Sequence, residues 1–267
     1  MISDTPTLPP TIRPGLRTAA TIFALLLLAA PSAGQIPDEF NNLEVLPADI
    51  SKAELVSTMR HISLSLDLRC HHCHAGEPQT SFDTYDFASD QKPLKETARV
   101  MMRMVDEING KLLAPLGKDA ADRIVVRCAT CHHSQRRPQT LAEVLRETLD
   151  GEGTEAAIAR YRELRERYYG GNTYHFGEWQ LLFFSETLAE AELPEAEHAF
   201  LRLNRELHPD FWWTSLYFGE YYRRHGDKEQ AIAEYRKVIE MEPARAPRIQ
   251  PIIDELSAEG APAGPPP

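Results

Sequence analysis

Two pentads carry the residues whose types and spacing do chemistry: Cys70-His71-His72-Cys73-His74 and Cys128-Ala129-Thr130-Cys131-His132. In each, two thiols stand two residues apart and an imidazole follows the second directly. That order lets both sulfurs add across the vinyl groups of one haem while the imidazole takes an axial position on its iron. All four cysteines of the chain lie in these pentads, so none remains for a disulfide or for thiol catalysis. Two covalently attached haem c groups follow, one on Cys70 and Cys73 with His74, the other on Cys128 and Cys131 with His132. A zinc ribbon or a thioredoxin-like pair shares the thiol spacing. Zinc does not require a His after each second Cys, however, and a redox pair would not come twice.

What fills the far side of each iron decides the chemistry. A methionine thioether raises the reduction potential, a second histidine lowers it, and an open position admits peroxide or gas. Apart from Met1 and Met241, every methionine stands upstream of a motif. Met59 precedes the first, and Met101, Met102 and Met104 precede the second. Met101 and Met104 share a helical face. His61 competes with Met59, whereas His71 and His72, held between two attachment cysteines, cannot swing to the far face of their own haem.

The elements that must position these groups are helical. Residues 36–49 read as an extended lead-in. Asp49 or Ser51 then caps a helix, with Glu54 placed for a capping box and Leu55, Met59 and Ile62 on one face. Residues 75–92 read as loop. Pro93 opens a helix over 94–113, with Ala98, Met101, Val105, Ile108 and Leu112 at helical spacing, and 114–123 breaks it before the second motif. The region is thus a tandem duplication of helix, connector and Arg-Cys-x-x-Cys-His, with Arg69 and Arg127 in identical register, each either beside a haem propionate or simply exposed.

From about Thr140 the pattern is continuously helical. Pro209 and Pro243 lie 34 residues apart at the ends of matching helices, and Ala231, Tyr235 and Pro243 stand where a tetratricopeptide repeat wants Ala, an aromatic and Pro. One copy runs over 211–243 and a degenerate one over 177–209, with Glu197 where a small residue is usual. Trp212, Trp213, Phe183, Phe184 and Tyr217 either line a groove or pack between repeat helices. The fold class expected is all-α: a dihaem cytochrome c domain over 37–138, then a TPR-like helical domain over 140–256 for docking a protein, then a Pro-rich tail over 257–267.

Arg13 and Arg17 precede an apolar run over 22–30 that closes on small residues at 32–34. This reads as a secretory signal peptide over 1–34 and places the protein in the periplasm. As an uncleaved anchor the run is short of the roughly 20 residues of a bilayer span. The formal charge is −11, which argues against nucleic acid as a partner and favours a basic patch on a protein partner.

Asn42 to Pro47, Met59 ahead of the first pentad, and Thr97 to Met104 with Ile108-Asn109 ahead of the second, together with Pro138, resemble the cytochrome c subunit of photosynthetic reaction centres. In that family the sixth ligand is a Met on the helix before the attachment motif. The resemblance therefore implies Met59 at the first iron and Met101 at the second. It covers under half the chain. The family's subunit has four haems, and only one of its pairs has a counterpart here; its lipid-bearing Cys is missing. The chain is similar to a two-haem relative fused to a docking module. The function implied is electron carriage between a protein donor and a protein acceptor through two His/Met haems, compatible with a membrane redox complex as partner. The competing function is a dihaem peroxidase-like enzyme or a haem-based sensor with one open iron.

Overall fold

The computed structural model describes residues 36–78, 80–116 and 124–258. The expected signal peptide and nearly all of the Pro-rich tail lie outside them. Among the described residues the architecture is all-α, with one isolated bridge between Ala75 and Asp86.

Helix α1 (Lys52–Leu66) starts where the sequence places it. Ser51 is the cap, its hydroxyl accepting from the Glu54 N–H while the Glu54 carboxylate accepts from the Ser51 N–H at 3.1 Å. Its end is set by Asp67, which turns left-handed at φ 51°. The first pentad forms the short helix α2 (Cys70–Cys73). Helix α3 (Pro93–Glu107) begins on its proline and runs on as one wide π turn over Ile108–Leu112. The second pentad forms α4 (Cys128–His132). The packing is crossed: α1 lies against α4, and α2 against the start of α3. Each pentad is therefore held by the other unit's helix, which interlocks the duplicated halves.

The second region is a series of helical hairpins. Helices α5 (Leu141–Glu152) and α6 (Thr154–Tyr168) pair first, α5 starting at a second capping box, Thr140 with Glu143. Then follow α7 (Glu178–Glu190) with α8 (Pro194–Leu207) and α9 (Trp212–Arg224) with α10 (Lys228–Met241). Helix α11 (Ala246–Ala258) closes the array against α10. The middle two hairpins match in length, 13 and 14 residues in each. Short turns force neighbours to run antiparallel, and their apolar stripes meet in three buried clusters. Tyr161, Leu181, Phe184, Phe200, Phe218 and Tyr235 are fully or almost fully buried in them.

Two features settle what the sequence left open here. Glu197, at the position where a small residue is usual, is buried, and its carboxylate meets Arg224 of α9 at 2.5 Å. Glu234 of α10 in turn is buried against Arg205 of α8 at 2.6 Å. The hairpins are thus cross-locked by two ion pairs running in opposite directions. The aromatics divide: Phe184 is core, whereas Phe183 is half exposed and stacks on Trp179, which also meets Trp213 and Phe211.

Candidate functional site

The pentads present their imidazoles in the same way. Arg69 donates its N–H to His72 Nδ1 at 3.0 Å, and Arg127 donates its N–H to Thr130 Oγ1 at 2.9 Å. Each short helix is therefore capped by its own third residue. His72 Nδ1 lies 3.1 Å from the Arg69 carbonyl as well, so its ring is tied to its own turn.

His74 Nδ1 lies 3.3 Å from the Phe87 carbonyl, and His132 Nδ1 lies 2.8 Å from the Gln135 carbonyl. A carbonyl only accepts, so both Nδ1 atoms carry the proton and both Nε2 atoms keep a lone pair. That is the tautomer a metal-binding imidazole needs, oriented by its other nitrogen. Burial, followed by the nearby Lys95 ammonium, pushes the His74 pKa below its ordinary value, outweighing the Phe87 carbonyl, and so keeps the ring neutral. Burial likewise pushes the Cys73 thiol up.

The loop carrying Phe87 is tied down by charge. Lys95 Nζ donates to the carbonyls of Phe87, Ala88 and Ser89 at 2.9–3.0 Å. The Asp90 carboxylate takes Arg99 at 2.9 Å and Asn42 at 2.8 Å, and these bonds with Lys95 hold its pKa far below the carboxylate range. Arg99 also meets Glu44 at 3.0 Å and is buried. The lead-in from Asn42 to Glu44 thereby straps the loop to α3. Gly76 lets the chain pass under Tyr85, since a Cβ there would sit 2.6 Å from the ring.

The ionic strap occupies one face of α3, and the opposite face is apolar and turned outward. Met101 and Met104 are 40% and 45% exposed, with Val100 beside them. On α1 the partner-facing side holds Leu55, Met59 and Ile62, Leu55 buried and the other two half-buried; His61 is exposed on the far side with Ser57, Arg60 and Leu64. Further exposed apolar side chains in this region are Leu64, Leu112 and Leu116, with Ile124 and Val125 just ahead of the second pentad. Together with paired thiols and Nδ1-anchored imidazoles, such surfaces fit a flat apolar group, and haem is one. The thiols show no four-sulfur convergence: among the described residues no three His, Cys, Asp or Glu side chains gather as metal ligands, which a zinc ribbon would require.

One residue that sequence reasoning gave no role is Asn109. Its side chain donates to the Val126 carbonyl and accepts the Val126 N–H, both at 2.8 Å. It pins the strand-like approach to the second pentad onto the π turn that ends α3, a place where such turns often serve function. Its signal was the Ile108-Asn109 pair within the family resemblance. The two sites are neighbours: Ser134 donates to the carbonyls of Ser65 and Leu64 at the end of α1, and the Arg136 charge reaches the Cys73 thiol.

Two Cys-x-x-Cys-His turns on a helical region, each with its imidazole anchored at Nδ1, are what covalent haem attachment asks of a chain. Residues 36–149 match the family of the photosynthetic reaction centre cytochrome C subunit. A curated relative, cytochrome c-554 of Chloroflexus aurantiacus, is 32% identical over 94 residues, which cover 35% of this chain and 20% of the relative. The chain thus spans about a fifth of that relative's length. No solved structure matches.

Proposed function

We propose that this chain is an exported dihaem c-type cytochrome that carries electrons between protein partners, with the helical hairpins as a TPR-like docking module. The observation that carries the reading is the pair of Nδ1-anchored imidazoles, His74 on Phe87 and His132 on Gln135, each directly after two thiols. Cys70, Cys73, Cys128 and Cys131 would hold the haems, with His74, His132, Met59 and Met101 as the iron ligands. Haem bound there supplies a one-electron iron couple. The chain's own part is to fix the imidazole tautomer, to bring a thioether from α1 or α3, and to keep the two sites adjacent through the crossed packing. The family match supports a redox role, and the matched hairpins with their 34-residue proline period support the docking module. Export agrees with haem attachment on the outer side of a bacterial inner membrane. No described helix is long and apolar enough to cross a membrane.

The test is a haem count with ferric near-infrared and ferrous visible spectra of the holoprotein, with and without carbon monoxide. Two haems per chain, a Met-to-iron charge-transfer band and no carbon monoxide binding are expected. Met59→Ala together with Met101→Ala should abolish the band at both irons. A carbon monoxide-reactive iron in the unsubstituted protein, or spectra unmoved by the double substitution, overturns the His/Met assignment.

A further inference from the structure

The two imidazoles are anchored from different places. The Phe87 carbonyl that holds His74 is fixed from within the haem region, by Lys95. The residues around the Gln135 carbonyl that holds His132 are held from two sides, by α1 through Ser134 and by the hairpin region through His133 and the Gln135 side chain. Tyr174 donates its hydroxyl to Gln135 Oε1 at 2.7 Å, Thr173 donates to the His133 carbonyl at 3.0 Å, and Asn172 Nδ2 lies 3.3 Å from His133 Nδ1. These three consecutive residues sit in the connection between α6 and α7.

The clamped segment needs holding. His133 and Ser134 both adopt left-handed backbone, φ 46° and 62°, a conformation that two successive side-chain-bearing residues adopt only when their surroundings impose it. With Ser134 pinned to α1, the hairpin clamp on His133 and on the Gln135 side chain sets the remaining freedom of the Gln135 carbonyl, and so how strongly it draws on the His132 Nδ1 proton. A stronger bond at Nδ1 makes the imidazole a better electron donor and favours the oxidised metal.

We propose that Tyr174, supported by Thr173, is a positioning residue for the second haem, so that the reduction potential at His132, and not that at His74, is set by the hairpin region. The same connection is a route by which a partner held on the hairpins would bias one haem alone. This rests on haem attachment at the second pentad.

Spectroelectrochemical titration of the holoprotein tests it, after a haem count that establishes two haems per chain. Tyr174→Phe keeps the ring contacts to Tyr168 and Phe176, 5.5 and 6.2 Å between centroids, and removes only the hydroxyl. It should raise one midpoint potential, by about threefold in the reduction equilibrium, or about 28 mV at about 59 mV per tenfold for one electron. Thr173→Val should raise the same potential. Lys95→Gln should move the other one. Both potentials unmoved in Tyr174→Phe and Thr173→Val, or both moving together, overturns the proposal. A chain lacking haem on Cys128 and Cys131 instead overturns the functional reading beneath it.

Discussion

The two halves of the molecule differ in how much of their own apolar sequence they bury. Among the described residues before Leu141 only Leu55, Ser65 and Arg99 are buried, while Met101, Met104, Leu64 and Ile124 face outward. From Leu141 on, hydrophobic side chains pack into three buried clusters, and the buried Glu197 and Glu234 are paired across hairpins. A region with so few buried apolar residues draws little hydrophobic stabilisation from its own chain. Its order comes from the ionic strap around Arg99, from the crossed packing of α1 and α4, and from whatever apolar body its outward faces take. The hairpin region needs no such partner.

The sharpest way to break this comparison is to prevent attachment. Cys128→Ala with Cys131→Ala, scored by haem staining and limited proteolysis, should leave residues 36–137 readily cleaved while 141–258 stays resistant. Equal loss in both regions would mean that the hairpins do not stand alone.

Next in size is Gly219→Ala. A Cβ there would lie 2.6 Å from the Tyr235 ring, which is fully buried and has nowhere to move. The hairpin unfolding transition should lose about 2–3 kcal/mol by overpacking, with haem spectra unchanged. Gly76→Ala meets Tyr85 at the same 2.6 Å, but that ring is half-exposed and can yield, so about 1 kcal/mol is expected, felt at the first haem.

Arg224→Ala strips the partner from the buried Glu197 carboxylate. About 2 kcal/mol of hairpin stability should go, less than for a fully buried pair because Arg224 itself is partly exposed. Asn109→Leu removes two hydrogen bonds to Val126 and should cost about 1–2 kcal/mol, seen as faster hydrogen exchange before the second pentad and not before the first.

The smallest effect is pH-dependent and confined to the strap. The Asp90 carboxyl is depressed by its bonds from Asn42, Lys95 and Arg99. Its contribution is therefore full above the ordinary carboxylate value of about 3.9 and fades only as pH falls through its lower folded value. Hydrogen-exchange protection around Phe87, taken relative to the intrinsic rate at each pH, should stay constant from pH 7 to about 4 and fall in stronger acid. Asp90→Asn should raise exchange there already at pH 7 and flatten the acid response.

Much of this was legible beforehand. The pentads, the Ser51 cap, the helix opened by Pro93 and the two matched hairpins all express local rules: motif spacing, side-chain capping, and periodicity read over a few turns. Asn109 and Tyr174 did not stand out, because a polar side chain's partner 17 or 39 residues away leaves no periodic trace. The pairing of Glu197 with Arg224 was hidden for the same reason, and so was the split between Phe183 and Phe184. On adjacent helical positions, neighbours alone decide which ring is buried.

By itself the sequence determined the chemistry on offer: four thiols and two imidazoles in two pentads, methionines upstream of each, and a proline-spaced helical array behind them. Those depend on covalent order and on short-range geometry. Only the tertiary structure decided which carbonyl orients which imidazole, that each pentad packs on the other unit's helix, and that Tyr174 of the hairpin region reaches the residue whose carbonyl orients His132. Those depend on contacts between residues far apart in the chain, whose energies exist only once both sides have been brought together.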